Sequence, residues 1–173
     1  LQIPNISLHT QIVPWGVTPW CVDHDADNGL IGEALKRSIA APTEAFDVSF
    51  QIQLPNEWDA SLAEKNVGIT AGVETDFSNP IWASVHCSKM DLIIVPSNHT
   101  KSSLLCKSFT GTPVKVVPET FFDEILKPVK TMSEVDDLPT SFNFLSVGVL
   151  TATSPDSDRK NTLYMIKWFL EEF

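Results

Sequence analysis

Along this chain the hydrophobic positions switch repeatedly between strand spacing and helix spacing, and proline or glycine stands at most of the switches. Residues 6–13 (ISLHTQIV) alternate apolar and polar and predict a strand that Pro14 ends. Residues 14–29 form a loop rich in Pro, Trp, Asp and Gly. Leu30, Ile31, Ala34, Leu35 and Ile39 then recur at helical spacing, with Asp27 or Asn28 as the N-cap and Ala41-Pro42 as the stop. Residues 47–54 (DVSFQIQL) put Val48, Phe50, Ile52 and Leu54 on one face of a second strand, closed by Pro55. Asn56, with Asp59 shortly after it, predicts a short helix within 56–65.

The stretch around which the rest is organised is 66–80 (NVGITAGVETDFSNP). The β-branched run 67–70 predicts a strand, Ala71-Gly72 a turn, and Asn79 the cap of a helix whose first residue is Pro80, where a missing N–H costs nothing. Ile81, Trp82 and Val85 would face inward on that helix. Between turn and cap stand Glu74, Thr75 and Asp76. A buried strand that ends in a small, polar, acidic loop is where open α/β sheets place their ligand sites. A carboxylate here could bind sugar hydroxyls or orient an attacking hydroxyl. Equally, Asp76 or Ser78 could cap the helix near Pro80.

Residues 91–95 (DLIIV) are a continuous apolar run between Asp and Pro, the pattern of a parallel strand buried on both faces. Ser97 caps a helix to about Phe109, with Leu104, Leu105 and Phe109 inward. Gly111-Thr112-Pro113 turns the chain into a short strand at 114–117. Residues 127–141 are polar, acidic and without period, and read as a linker. Residues 142–147 (FNFLSV) predict a new strand, and 159–161 (RKN) lead into a helix bearing Leu163, Ile166, Phe169 or Leu170, and Phe173 on one side. Strands alternating with helices predict an α/β fold, a Rossmann-like three-layer sandwich with a mainly parallel sheet. The expected organisation is a first domain over 1–126, a linker over 127–141, and the first strand and helix of a truncated second domain over 142–173. The start at Leu1 and the stop at Phe173 inside a helical pattern carry the expectation of truncation. An apolar strand at 142–147 without its own sheet must dock on the first domain or pair with another copy as a homodimer.

Composition narrows the function classes. The chain has 173 residues, 43% hydrophobic and 20% charged, which fits a folded domain rather than a disordered segment. A net charge of −10 argues against nucleic acid or an anionic membrane as partner, since either needs clustered Lys and Arg. No apolar run approaches the roughly 20 residues of a transmembrane helix, and no basic stretch leads into an apolar one as in a signal peptide. The sparse, unevenly spaced Cys21, Cys87 and Cys106 suit reduced thiols and a cytoplasmic location.

Several motifs carry chemistry on paper. The run 23–29 (DHDADNG) begins like a Ca²⁺ loop, but Asn28 stands where glycine is needed and Ala34 where a bidentate Glu is needed. It reads as an acidic loop at a helix N-terminus. His9, His24, His86 and His99 share no ligand spacing, and no metal is expected. Glycine-rich dinucleotide and P-loop patterns are absent, and no cofactor is expected. Arg159 and Lys160, at a loop-to-helix junction, would suit a diphosphate; a solvated basic pair is the plainer reading.

In their order, the segments 47–55 (DVSFQIQLP), 66–76 (NVGITAGVETD), 90–97 (MDLIIVPS), 114–119 (VKVVPE), 142–148 (FNFLSVG) and 159–161 (RKN) resemble the retaining GT-B glycosyltransferases known as group one or family four. The resemblance covers about 45–173. It implies two facing Rossmann-like domains, the first for the acceptor and the second for a nucleotide-diphosphate sugar. It implies transfer to a glycan or lipid-linked acceptor without a required metal. Thr70, Gly72, Glu74, Thr75 and Asp76 would line the acceptor side, and Arg159 and Lys160 would hold the donor diphosphate. The catalytic residue is not among the matched positions. The sequence departs from the family where Val149, not Arg, follows Gly148, so half of the diphosphate clamp is missing unless Arg159 replaces it. The family's glycine-rich first loop and its later acidic pair are also not found, so this chain alone is expected to be inactive. The alternative reading is a stand-alone, non-catalytic Rossmann-like module that binds a ligand or partner.

Overall fold

Four apolar runs become the four strands of one all-parallel sheet: β1 (Phe46–Ile52), β2 (Ala63–Ile69), β3 (Leu92–Val95) and β4 (Val114–Val116), in the spatial order of the chain. The structure, a computed structural model, describes residues 4–13, 23–39, 44–73, 75–104, 111–121, 123–127, 140, 142–148, 152–158 and 160–173. The chain divides into two compact units, Leu1–Thr120 and Phe121–Phe173. Among the described residues the first unit also carries the helices α1 (Ala26–Ile39) and α2 (Asn98–Leu104), and the second unit α3 (Thr162–Glu172). The fold is α/β and Rossmann-like, as the strand–helix alternation predicts.

In the first unit the register fixes two sheet faces. Gln51, Gly68, Ile93 and Val114 lie side by side on one face, and Phe50, Val67 and Leu92 on the other. Parallel strands that advance in one direction through right-handed crossovers keep every connection on one side. The core accordingly forms on the Gln51 side from Trp58, Cys87, Met90, Ile93, Val95 and Leu104, flanked by Trp82, Val114 and Val116. Residues 91–95 give the predicted parallel strand, but it is not buried on both faces as the apolar run predicts: Ile93 and Val95 are fully buried, whereas Leu92 and Ile94, on the other face, are only half-buried.

Among the described residues, every buried side-chain polar atom has a hydrogen-bond partner. The Gln51 amide donates to Asp59 O (2.7 Å) and accepts from Asp59 N–H (2.7 Å), while the Trp58 indole N–H donates to Gln51 O (3.1 Å). Asn66 donates to Ala60 O (2.9 Å) and Ala63 O (2.8 Å) and accepts from the Ser49 hydroxyl (2.7 Å). These bonds explain why 56–65 is not the expected helix. The chain makes only a 3-10 turn at Pro55–Glu57, because the donors and acceptors that a helix would use are taken by Gln51 and Asn66. β2 then starts at Ala63, ahead of the predicted Val67.

Other departures have local causes. Residues 6–13 form no strand. Thr10 instead donates through its N–H to Arg37 O (3.5 Å) and through its hydroxyl to Ala34 O, so this segment serves carbonyls in the later turns of α1. α1 begins at Ala26, and the turn before it is made by Asp23, whose carboxylate accepts Asp25 N–H (2.9 Å), rather than by the predicted Asp27 or Asn28. Asn79 caps the segment after Pro80 as expected, accepting Ile81 N–H (3.0 Å). That segment widens into a π turn at Trp82–His86 and tightens at Cys87–Lys89. Small Ala83 and Cys87 face the sheet, while Ile81 (54% exposed) and Val85 (41%) face outward, against the expectation from spacing.

Asp91 ties the start of β3 to β2. Its carboxylate accepts Asn66 N–H (2.9 Å) and Lys65 Nζ (3.1 Å). The Asn66 amide first, and Lys65 second, hold its pKa below the ordinary 3.8. A depressed folded-state value means stability that is present above 3.8 and lost as pH falls through the folded value. Asp91→Asn should therefore flatten the acid limb: urea midpoints measured from about pH 5 down to about pH 3 should fall less in the variant than in the parent.

In the second unit, residues 142–147 make no sheet ladder among the described residues, correcting the predicted strand. The segment packs by rings instead: Phe144 meets Phe142 (5.0 Å), Phe169 (5.1 Å) and Phe173 (5.7 Å). α3 is capped by Asp158, whose carboxylate accepts Thr162 N–H (2.8 Å) and Lys160 N–H (3.2 Å). The predicted linker lies almost wholly outside the described residues, as do residues 105–110 of the helix predicted to reach Phe109.

Candidate functional site

The carboxyl ends of β2 and β3 lie side by side, and the loops that leave them are bound to each other. Thr70, 3% exposed, continues the ladder by donating N–H to Ile94 O (3.1 Å), and its hydroxyl accepts Gly72 N–H (3.2 Å). Gly72 takes φ +75°, and a Cβ there would stand 2.7 Å from Thr100 Cγ2. Thr100 donates its hydroxyl to Ala71 O (3.1 Å), and its own N–H is capped by Ser97 Oγ (3.0 Å). Further on, buried Ser78 donates its hydroxyl to Ser103 O (3.0 Å). The loop after β2 is thus pinned to α2 at both ends.

Thr75 and Asp76 are exposed, with the Thr75 hydroxyl on Phe77 O (2.9 Å). Glu74 lies outside the described residues. Of the two sequence readings of Asp76, capping does not hold: Asn79 caps the next helical segment and Ser78 is spent on Ser103. The arrangement places an exposed hydroxyl and an exposed carboxylate, those of Thr75 and Asp76, near the strand ends, the equipment for binding polyhydroxylated ligands.

The close fit at Gly72 is testable. Gly72→Ala adds a Cβ into Thr100 and forces a left-handed φ, and should destabilise the chain by about 1–3 kcal/mol. Thr100→Ser removes the methyl and keeps the hydroxyl, so the double variant should recover part of the loss in urea denaturation.

Of the other predicted site residues, Lys160 is exposed in the second unit at the start of α3, and Arg159 lies outside the described residues. Sequence reasoning missed Thr100; the signal was the Ser97-Asn98-His99-Thr100 spacing, which puts Thr100 N–H on the cap. Cys87 is buried in the core, and Cys21 and Cys106 lie outside the described residues. His9 stacks on Phe46 (5.4 Å between centroids). Among the described residues, no group of three or more His, Cys, Asp or Glu is placed to hold a metal ion, and no helix is long and apolar enough to cross a membrane. Compared with protein-family models, curated proteins and solved structures, the chain matches none.

Proposed function

We propose that this chain is the acceptor-side domain, with the start of the donor domain, of a retaining GT-B glycosyltransferase that moves a sugar from a nucleotide-diphosphate sugar to a glycan or lipid-linked acceptor in the cytoplasm. The observation that carries the reading is the pinned loop after β2, which holds Thr70 and Gly72 in place and turns Thr75 and Asp76 to solvent at the carboxyl edge of a parallel sheet. The ordered motifs over 45–173 support the same assignment.

In this reading Thr70, Gly72, Glu74, Thr75 and Asp76 shape the acceptor side. Arg159 and Lys160 face the donor diphosphate, where fixed cations stabilise the charge that grows on the leaving group as the glycosidic bond breaks. A homodimer through the 142–173 unit would cover Phe142, Leu145 and Val147, which are 73%, 88% and 88% exposed.

The test is calorimetric binding of uridine, guanosine and thymidine diphosphate hexoses to the product of the complete reading frame. One donor should bind, and Lys160→Ala should weaken it on the order of tenfold, as loss of a charge-assisted phosphate contact does. Failure of every donor to bind would sink the assignment.

A further inference from the structure

We propose that Thr100 is the positioning residue of the loop after β2, acting through one peptide plane and not through contact with a ligand. The plane joins Ala71 to Gly72, so it carries the Ala71 C=O and the Gly72 N–H on opposite edges. Each edge is held. The Gly72 N–H donates to Thr70 Oγ1 (3.2 Å) on the strand side, and the Ala71 C=O accepts the Thr100 hydroxyl (3.1 Å) from α2. Gly72, at φ +75°, has no Cβ to restrict rotation, so hydrogen bonds decide which way this plane faces. The plane in turn sets the direction in which the chain leaves toward Thr75 and Asp76.

A count of protons orders the bonds behind the plane. Thr100 has one hydroxyl proton, and it is spent on Ala71 O. The 3.1 Å contact between Ser97 Oγ and Thr100 Oγ1 therefore has Ser97 as its donor. Ser97 Oγ also accepts the Thr100 N–H (3.0 Å), so the two residues are tied reciprocally. The relay runs from Ser97, just past the end of β3, through Thr100 to Ala71, in the loop that leaves β2. Thr100 is 4% exposed, so it acts on the loop and the loop meets the ligand. What concerns a sugar acceptor here rests on the transferase reading; the orientation of the plane does not.

Two variants separate the hydroxyl from the methyl. Thr100→Val keeps the shape and removes the hydroxyl; Thr100→Ser keeps the hydroxyl and removes the methyl. The first readout is amide hydrogen exchange on the full 173-residue chain, followed by NMR. Thr100→Val should speed Gly72 on the order of tenfold relative to Thr70, whose N–H lies in the ladder to Ile94 O (3.1 Å). Thr100→Ser should leave that ratio at the parent's value. Thr100→Ala, smaller than either, should match Thr100→Val at Gly72, so the result does not depend on how valine is accommodated. In the product of the complete reading frame, Thr100→Val should raise KM for the acceptor on the order of tenfold at unchanged kcat, and Thr100→Ser should keep the parent's KM. A ratio unmoved by Thr100→Val and Thr100→Ala, or moved equally by Thr100→Ser, overturns the proposal. So does a fall in kcat at unchanged KM, the signature of a merely structural loss of folded enzyme. If the parent releases no nucleoside diphosphate with any acceptor, the transferase reading falls, and the Gly72 ratio alone decides the role of Thr100.

Discussion

Trp58→Ala should cost the first unit about 3–5 kcal/mol, the range for removing a large buried aromatic side chain. The indole is 9% exposed and lies against Gly68, where an added Cβ would come within 2.6 Å of its ring. Gly68 is therefore required by Trp58, and Gly68→Val should be destabilising in its own right through overpacking of about 1–3 kcal/mol. The two losses should not add. In Trp58→Ala the cavity accepts the new side chain, so the double variant should be more stable than the sum of the single effects implies. Urea denaturation of the parent, both single variants and the double variant measures this coupling. Additive losses would mean that the ring does not occupy the space above Gly68.

Asn66→Ala should be the next most damaging change, although it removes few atoms. One side-chain amide satisfies Ala60 O, Ala63 O and the Ser49 hydroxyl, and Asn66 is 3% exposed. Alanine removes all three bonds; Ser49, Ala60 and Ala63 are half-buried, so water reaches part of what is freed, and the total loss should be about 1–3 kcal/mol. Asn66→Asp is the informative companion. It keeps the volume and the acceptor for Ser49 but loses both donors and adds a buried charge, so it should be at least as destabilising as alanine. If Asn66→Asp instead proved harmless, the polar cluster between β1 and β2 would be open to water, and its role in shaping 56–62 would fall away.

These two sites also show where sequence reading succeeds and where it stops. The strand at 91–95, the Ser97 cap and the Asn79-Pro80 helix start were legible because their causes are local: an apolar run, a hydroxyl before a helix, a proline at a permitted position. The turn at 55–62 was not legible, because Gln51 and Asn66 determine it from outside the segment. On the segment after Pro80, Trp82 packs against the core as expected, but Ile81 and Val85 turn outward because a π turn breaks the 3.6-residue spacing on which such readings depend. Residues 6–13 and 142–147 have strand-like patterns, yet a pattern cannot provide the neighbouring strand that a ladder needs.

The candidate site divides the same way. Thr70 and Gly72 could be found from a β-branched run that breaks into a small-residue turn. Thr100 could not be found that way, since its bond to Ala71 spans 29 positions. The surroundings of β1 were hidden because the sequence places Val48, Phe50 and Ile52 on one face without saying what covers that face. The topology supplies part of the answer: β1 stands at the end of the strand order, with Leu8 and Val13 beside it, while Val67 of the next strand is buried.

The central claim is that the loop after β2 handles the acceptor of a sugar transfer. Its most direct test is nucleoside diphosphate release by the product of the complete reading frame, with acceptor varied, for the parent and for Thr75→Ala and Asp76→Asn. Both positions are exposed and outside the core, so folding should be unaffected. The account predicts acceptor-dependent release in the parent, with kcat/KM for the acceptor reduced on the order of tenfold in at least one variant and donor affinity unchanged. Release that ignores the acceptor, or full activity in both variants, would contradict it.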